Sequence, residues 1–518
     1  MPLAWRLLLQ SKAKLRSTLL ASSKLGSNTR ELAGASAIYG FGNLAMKGLS
    51  FLLLPLYTHY LTPEDYGLVA LTVTITSVLG ILYPLGLHGA LSRLYFDSPS
   101  ETVRQQSIST LWIAMTLVAT VIAVLLHYVC TSVIHVLVKD STFLPYIRMA
   151  IWTAFFAVFS LLPLNLLQIE KHPGLYVLAT ATSTVLSAGL IVSFVVIRGH
   201  GAYGYILGTL LTAVLLAMPY AYYTIRRIQC VFHWDILKSA LAYSLPLIPY
   251  GLAAWVMDLS DRFILSMYLS LGEVGLYALG YQLASVISLV AAAINAAWIP
   301  FLFSADAQRG DEAKTDLIRL TTYYTFILAW VALGLALLSQ DALHLLTAPA
   351  FHAASQVIPW LVGGLLLGGL YYIPVSFLFL RSKTGYLPIV TITAGIINVG
   401  LNLWLAPRYG IFGAAWATLA SYAAMLVLIW WIALRVYPFA YEYRCLGKIL
   451  LVMVGLFSMG HAVSLHSHLL EVVLRSALWF IFPVALAVLG VFTRSEREHC
   501  FSYGKNALMV LRHRLLRV

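Results

Sequence analysis

Charged side chains are scarce in this sequence. Asp, Glu, Lys and Arg make up 10% of its 518 residues, whereas hydrophobic residues make up 60%. Because soluble globular domains carry about 25% charged residues, this composition excludes a soluble domain and indicates an all-α protein that crosses a membrane many times.

Motifs that bind nucleotides or catalyse hydrolysis are also absent. The sequence has no P-loop lysine motif, no H-E-x-x-H and no G-x-S-x-G, and no water-exposed segment is long enough to form a catalytic domain. We therefore expect a protein that is not an enzyme, that has no cofactor, and whose transport is driven by an ion gradient or a substrate gradient.

Cysteine is rare as well. Cys130, Cys230, Cys445 and Cys500 are scattered without C-x-x-C spacing, which favours neither a zinc site nor a disulfide framework. The formal net charge of +13 comes from short basic runs between apolar segments, a pattern typical of membrane topology rather than of nucleic-acid binding. Residues 1–30 contain six basic residues and no acid, so they predict a cytoplasmic segment on an anionic inner leaflet rather than a cleaved signal peptide.

Apolar segments of about 20 residues, each long enough to span a bilayer, recur along the chain. Fourteen of them are predicted, near 35–58, 66–90, 107–128, 144–167, 174–197, 202–225, 240–266, 274–302, 317–339, 355–379, 386–406, 411–434, 447–465 and 473–492. With the N-terminus inside, the cytoplasmic segments hold 26 Lys and Arg and the outer segments hold five. This bias favours fourteen spans with both termini in the cytoplasm.

The sequence also repeats itself. Residues 60–71, Y-L-T-P-E-D-Y-G-L-V-A-L, match residues 268–279, Y-L-S-L-G-E-V-G-L-Y-A-L, at an offset of 208, and residues 201–210 match residues 410–419 at an offset of 209. Two distant matches on nearly one offset predict two six-helix lobes in the same membrane orientation. The predicted organisation is a basic segment at 1–30, an N-lobe at 31–230, a C-lobe at 231–436, and two further helices with a basic tail at 437–518.

Ionisable residues interrupt the seventh apolar segment, which is broken near Pro246 and Pro249. Asp258, Asp261 and Arg262 follow, although each charge costs roughly 2.5–3.5 kcal/mol at the centre of a span. Asp258 and Arg262 have the spacing of an intrahelical ion pair, which is a purely structural explanation. The alternative is that Asp258 and Asp261 bind the coupling ion and that Arg262 binds substrate.

Two further cations are candidates for substrate binding. Lys47 lies near the middle of the first span, about 15 Å from either end, which is too far for its side chain to reach the interface easily. Arg93 follows the second span and is either a topological anchor or the first cation that an anionic head group meets. Lysine and arginine both bind phosphate, so Lys47, Arg93 and Arg262 could hold a diphosphate.

Several segments resemble a known family. The glycine-rich first span, Y-L-T-P-E-D-Y-G after it, L-S-R-L-Y after the second span and D-R-F-I-L-S-M-Y-L-S-L-G-E-V-G-L-Y-A-L-G-Y in the second lobe are similar to the Wzx-type oligosaccharide flippases. These belong to the multidrug/oligosaccharidyl-lipid/polysaccharide (MOP) superfamily. The resemblance covers about residues 31–436 and is poorly specific for substrate.

The resemblance implies a multi-pass protein of the bacterial inner membrane that serves lipopolysaccharide or exopolysaccharide biosynthesis. It implies flipping of an undecaprenyl-diphosphate-linked oligosaccharide to the periplasmic face by alternating access, coupled to a proton or sodium gradient. The implied partners are this lipid-linked oligosaccharide, membrane lipids, and the polysaccharide polymerase and chain-length machinery.

Other functions remain open at this point. A multidrug exporter of the same superfamily would bind cationic drugs through acids, and the intramembrane cations count against it. A flippase for the peptidoglycan precursor lipid II also has fourteen spans and a cationic cavity. A polysaccharide polymerase or ligase would expose a long periplasmic loop, whereas the predicted outer loops are short.

Overall fold

The computed structural model describes residues 38, 40, 42, 45–137, 143–438, 441–463, 467–493 and 496. The predicted basic segment at 1–30 and nearly all of the basic C-terminal tail lie outside the described residues. Within the described residues the chain is helical and contains no β-strand, as the composition predicts.

Helices in the first half of the chain follow one another with short connections. They are α1 (Leu54–Tyr60), α2 (Pro63–Leu82), α3 (Leu87–Asp97), α4 (Glu101–Leu137), α5 (Leu144–Ile169), α6 (Pro173–Val192), which continues as a π-helical turn at Ser193–Ile197, and α7 (Gly201–Ile225).

The second half begins with a short linker helix. Its helices are α8 (Trp234–Ser244), α9 (Leu247–Tyr268), α10 (Leu271–Ala284), α11 (Val286–Arg309), α12 (Ala313–Leu337), α13 (Ser339–Leu346), a 3-10 segment (Pro349–Gln356), α14 (Ile358–Leu370), α15 (Tyr372–Leu380), α16 (Tyr386–Val436), α17 (Tyr443–Ala462) and α18 (His468–Val488).

Eleven helical segments of the described residues are long and apolar enough to cross a membrane, or twelve if the bent pair α8 and α9 forms one span. The segment α16 covers two predicted spans and consists of two helices, which meet at Gly410, where the backbone leaves helical geometry. The first predicted span lies partly outside the described residues. The predicted fold class is confirmed, and the count of fourteen is compatible with these helices.

The apolar core is divided into clusters that follow the chain. One buried cluster joins α2–α5 with α8 and includes Leu111 and Leu162, and a larger one lies mainly in α9–α16, includes Leu265 and Phe377, and reaches Leu71 of α2. A third cluster packs α17 and α18 against α12. The two C-terminal helices are therefore attached to the second half of the chain.

The first repeated motif forms the contact between the two halves. In each copy a capping box starts the helix, Thr62 with Asp65 in α2 and Ser270 with Glu273 in α10. The helices α2 and α10 pack closely along their length. The predicted repeat therefore places its two copies against each other.

Glycines make this crossing possible. A Cβ atom added at Gly67 would overlap the backbone carbonyl of Leu271, and one added at Gly275 would overlap the carbonyl of Pro63. Pro63 and Leu271 are separated by the same offset of 208 as the two glycines. The contact is thus symmetric, and only glycine allows the two backbones to approach so closely.

The second repeated motif has a shared backbone feature. Gly201, at the start of α7, has φ +52°, and Gly410, the kink in α16, has φ +59°. Glycine adopts this left-handed region without the steric cost that other residues incur. Both copies therefore change the direction of the chain at equivalent positions.

Candidate functional site

The fully buried carboxylate of Asp261 lies where α9, α10 and α16 meet. Its Oδ2 accepts hydrogen bonds from Tyr277 Oη at 2.6 Å and Thr418 Oγ1 at 2.8 Å. Its Oδ1 accepts one from Asn402 Nδ2 at 2.9 Å. Polar donors from two neighbouring helices therefore replace the water that a buried carboxylate would otherwise need.

The amide of Asn402 extends this polar group. Its nitrogen also donates to the backbone oxygen of Asn398 at 3.0 Å and to the side-chain oxygen of Asn398 at 3.2 Å. One nitrogen thus stands among three oxygens, while Asn402 Oδ1 is buried without a hydrogen-bond partner among the described residues. A half-turn of this amide would direct its oxygen toward the same point.

Asp258 lies one helical turn from Asp261 and is held in a similar way. Its Oδ1 accepts a hydrogen bond from Tyr422 Oη at 2.8 Å and a longer one from Tyr281 Oη at 3.4 Å. The side chain also lines a cavity of about 220 Å³, together with Tyr250, Tyr372 and other residues. Asp258 therefore has access to a space large enough for water or ions, whereas Asp261 does not.

The two carboxylates form a ladder with two rungs, which we call the acid ladder: Asp261 with Tyr277 and Thr418, and Asp258 with Tyr281 and Tyr422. Tyr277 and Tyr281 are four residues apart on α10, and Thr418 and Tyr422 are four apart on α16. Residues with this spacing lie on one face of a helix. Each neighbouring helix thus presents one row of donors to both acids.

Arg262 does not form the ion pair that its spacing from Asp258 suggests. Its Nη1 donates to the backbone oxygen of Asp258 at 2.6 Å, and its guanidinium lies over the ring of Tyr281 at 4.5 Å. Among the described residues no carboxylate oxygen lies within 4.0 Å of it. Arg262 is only 6% exposed, so its positive charge is enclosed beside the ladder. With both acids ionised, the group of two acids and one base carries one negative charge.

The other two predicted substrate-binding residues lie apart from this group. Arg93, on α3, pairs with Asp97 at 3.4 Å and lies over the ring of Tyr243, on α8, at 5.5 Å. Its side chain is 59% exposed. Lys47 is exposed in a helical stretch before α1, and no described residue forms an ion pair with it. No described contact joins either cation to the acid ladder.

Sequence reasoning identified the two acids and missed their tyrosine partners. Tyr277, Tyr281 and Tyr422 look like ordinary aromatic residues of apolar spans. Their one signal is the recurrence of a hydroxyl residue every fourth position, in Y-A-L-G-Y on α10 and T-L-A-S-Y on α16. Asn402 forms an interhelical hydrogen bond with Asp261, as polar residues inside membrane spans commonly do.

Comparisons with known proteins agree with this architecture. Residues 33–306 match the family described as polysaccharide biosynthesis protein. Protein 1 of the Lsg locus of Haemophilus influenzae is 26% identical over 373 residues, which cover 71% of this chain and 85% of that protein.

Two solved structures share the fold. The lipid II flippase MurJ, in its inward closed conformation, matches with a TM-score of 0.71 and 14% identity, over 86% of this chain and 98% of MurJ. An inward-facing multidrug resistance transporter of the MATE family, from the MOP superfamily, matches with a TM-score of 0.62 and 16% identity, over 77% and 98% of the two chains. The resemblance to polysaccharide flippases of this superfamily is confirmed. The chain belongs to the polysaccharide biosynthesis protein family and has the membrane fold of the MOP superfamily.

Proposed function

We propose that this protein flips an oligosaccharide linked to undecaprenyl diphosphate from the cytoplasmic to the periplasmic face of a bacterial inner membrane. The observation that carries the proposal is the acid ladder, in which hydroxyl donors bind one fully buried carboxylate and one that opens to a cavity, inside one half of a two-part membrane fold. Ionisable groups at such positions are expensive and are typical of ion-coupled transport. The polysaccharide family and the lipid II flippase fold support a lipid-linked glycan as the cargo.

The acid ladder supplies the coupling site in this proposal. Oxygens of Asp261 and Asn398 surround the nitrogen of Asn402, and the hydroxyl of Thr418 lies on the other carboxylate oxygen of Asp261 at 2.8 Å. Such oxygens suit a hard cation such as sodium. The nitrogen of Asn402 stands where a cation would bind, and rotation of its amide would exchange that donor for a further oxygen. The single excess negative charge matches one sodium ion or one proton.

The diphosphate would be held by the cations of the bundle. Lys47 and Arg93 are exposed in this conformation, so they are available to an anionic head group. Arg262 is enclosed, and we infer that it assists only after an ion enters the ladder and the pull of the carboxylates on it weakens. Uptake of the ion and binding of the diphosphate are thereby linked.

The contact between α2 and α10 fits alternating access. The charge bias along the chain assigns the N-terminal ends of both helices to the periplasmic side, so Gly67 and Gly275 close that side of the path between the halves. Both chain termini would then lie in the cytoplasm. The polymerase and the chain-length machinery would receive the flipped glycan, with membrane lipids surrounding the bundle.

The proposal is tested by measuring glycan export in a strain that lacks this gene. Complementation with wild type should restore surface polysaccharide and clear the lipid-linked oligosaccharide from the cytoplasmic face. Lys47→Ala and Arg93→Gln should each leave the intermediate inside at equal protein levels. Arg435→Gln is the matched control, because Arg435 lies over the ring of Trp431 at 3.6 Å at the end of α16. Full export by both Lys47 and Arg93 variants would show that the head-group assignment is wrong.

A lipid II flippase is the second candidate, favoured by the match to nearly the whole length of MurJ. Purified protein in liposomes, supplied in turn with labelled undecaprenyl-diphosphate oligosaccharide and with lipid II, separates the two. Faster movement of lipid II would replace the proposed cargo. Movement of neither lipid, with export of a cationic dye instead, would favour a multidrug exporter.

A further inference from the structure

The helix α10 links the acid ladder to the contact between the two halves. Gly275 and Gln282 lie seven residues apart, so they share one face of the helix, about 20° apart. Tyr277 and Tyr281 lie roughly 200° and 240° from Gly275 on the same helical wheel. One face of α10 therefore meets α2, and the opposite face carries the two tyrosines of the ladder.

Contacts on the first face fasten α10 to α2. Gly275 and Gly67 bring the two backbones together, and Tyr66 Oη donates a hydrogen bond to Gln282 Oε1. Tyr66 also packs edge-on against Phe351 of the 3-10 segment, with ring centroids 5.7 Å apart. Because the glycine contact is between backbones, no side chain can adjust to absorb a shift of α10.

Contacts on the opposite face fasten α10 to the acids. Tyr277 is fully buried and Tyr281 is 7% exposed, and their hydroxyls reach Asp261 and Asp258 respectively. These bonds depend on the charge of the acids, because an ionised carboxylate accepts a stronger hydrogen bond from a phenol than a neutral or cation-bound one does. Binding of a cation or a proton to the acid ladder therefore weakens the hydrogen bonds that attach α10 to the acids.

The N-terminal end of α10 is separated from α9 by the extended residues Leu269 and Ser270. Its C-terminal end continues through Ser285, which has helical geometry, into α11, and residues 271–309 form one long span. The extended break before Leu271 therefore lets α10 shift relative to α9, which carries the acids. Closely packed contacts respond to such shifts by separating rather than by stretching.

We propose that Tyr277 and Tyr281 are positioning residues that transmit ion occupancy of the acid ladder to the glycine contact between α2 and α10. When the acids are ionised and empty, the two phenols fix α10 in the position in which it packs on α2, and the contact stays closed. When a cation or proton occupies the ladder, the phenols are released and the contact opens. This inference rests on the proposed ion coupling and names the residues that carry it.

A disulfide across the contact reports its state. Glu64 and Gly272 suit the purpose, because the Cγ atom of Glu64 lies 3.8 Å from the position of a Cβ atom on Gly272. Glu64→Cys and Gly272→Cys would be introduced into a chain whose four native cysteines are serine. The rate of cross-linking in proteoliposomes is then measured in sodium and in choline chloride at equal ionic strength, and at two pH values.

Sodium or acid should slow cross-linking in the parent by at least about fivefold, the low end of coupling between two sites. In Tyr277→Phe/Tyr281→Phe the rate should become insensitive to both, while binding of radioactive sodium persists. Tyr324→Phe is the matched control, because this buried tyrosine donates only to backbone oxygens, such as that of Gly369 at 3.2 Å. It should respond as the parent does.

The outcomes distinguish the tyrosine link from the ion coupling on which it rests. A parent that responds to sodium or acid while the double variant responds equally would overturn the tyrosine link and leave the coupling intact. A parent that neither binds sodium nor responds to acid would overturn the ion coupling itself. If the double variant does not fold, the single variants Tyr277→Phe and Tyr281→Phe decide, since each should reduce the response.

Discussion

The glycine contact between α2 and α10 has almost no tolerance for added atoms. Gly67→Ala would place a methyl group into the backbone of Leu271, and overpacking of this kind costs about 1–3 kcal/mol. We expect this variant to weaken closure and to lower export. Gly80→Ala is the control, because Gly80 is on the same helix with open space around it. Equal cross-linking rates in the two variants, measured with the cysteine pair at 64 and 272, would contradict this expectation.

The hydroxyl of Thr418 can be tested separately from the carboxylate that it serves. Thr418→Val keeps the shape of the side chain and removes one donor to Asp261 and one oxygen of the proposed sodium site. Loss of a buried polar interaction costs about 1–3 kcal/mol, so sodium affinity should fall about tenfold or more. Thr325→Val is the control, since Thr325 bonds to the backbone of Thr321 in its own helix. Isothermal titration with sodium compares them, and equal affinities would exclude Thr418 as a ligand.

The charged side chains were easier to predict from the sequence than the residues that bind them. Asp258, Asp261 and Arg262 stood out because hydrocarbon penalises ions. Tyr277 and Tyr422 did not, because tyrosine is common in apolar spans and its role depends on which helices meet. The orientation of Arg262 toward a backbone oxygen also depends on side-chain geometry that spacing does not determine.

A stack of three imidazoles joins separate helical elements outside the spans. The rings of His344 and His352 lie 4.0 Å apart and nearly parallel, and His468 of α18 stacks on the other side of His344 at 5.7 Å. Asp341 bonds to His468 at 3.3 Å and to Arg475 at 3.2 Å. The stack therefore connects α13 and the 3-10 segment to α18.

This stack should be sensitive to acid. Burial, followed by the neighbouring rings of His352 and His468, lowers the pKa of His344 below its usual value of 6.5, and the charge of Asp341 opposes this shift. A lowered histidine pKa means that the stabilisation is present above the unfolded pKa and is lost as the pH falls below it. The protection of residues 339–356 against hydrogen exchange, corrected for the intrinsic pH dependence of exchange, should fall as the pH is lowered from about 7 to about 5.

His344→Phe is the informative variant, because a phenyl ring can stack but cannot be protonated. It should keep exchange slow across that pH range. A wild-type exchange rate that does not change with pH, beyond the intrinsic chemistry of exchange, would contradict the prediction.

Arg319 joins α12 to the segments that flank the two C-terminal helices. It bonds to Glu442 at 2.9 Å and to Glu496 at 2.6 Å, and Thr322 donates to Glu442 at 2.6 Å. The hydrogen bond from Arg319 lowers the pKa of Glu496 to about 2. Because the folded-state pKa is depressed, this stabilisation is complete above the usual glutamate value of 4.5 and is lost as the pH falls toward 2.

Glu496→Gln should remove that part of the pH dependence and lower stability at neutral pH. Thermal unfolding in detergent, measured at several pH values, compares the variant with wild type. A melting temperature of the variant that falls as steeply in acid as that of wild type would show that Glu496 does not contribute.

Helix positions were largely predictable, and helix breaks were not. Hydropathy located each apolar segment because a bilayer requires about 20 apolar residues. It correctly separated the two parts of α16, since the backbone leaves helical geometry at Gly410, but it treated the second span as continuous, whereas α2 ends at Leu82 and α3 begins after Gly86. Whether a glycine ends a helix or only bends it depends on neighbouring contacts, which hydropathy does not contain.

For the whole molecule, the proposed alternating access requires that the two halves separate at the α2–α10 contact. The disulfide between Glu64→Cys and Gly272→Cys should therefore stop export when oxidised and restore it on reduction. Each single-cysteine variant serves as a control, because neither can form the bond. Undiminished export by the fully cross-linked protein would show that this contact stays closed throughout the cycle.

The repeat predicted two halves in the same membrane orientation but not which of their helices would touch. The offset of 208 makes Gly67 and Gly275 equivalent positions, and equivalent positions touch only where they lie near the axis that relates the halves. The identity of the contacting helices followed from neither composition nor hydropathy. The attachment of α17 and α18 to α12 was likewise not predictable, because it rests on contacts between residues distant in sequence.

The symmetric glycine contact has the form of an isologous interface, the kind that joins two identical subunits. It is what remains if an ancestral six-helix protein paired with itself and the two genes later fused. Fusion released each half from having to be identical. The positions that correspond to Asp258, Asp261 and Arg262 in the first half are Ser50, Leu53 and Leu54, so the charged residues of the proposed ion site belong to one half, whereas both halves contribute a glycine to the contact.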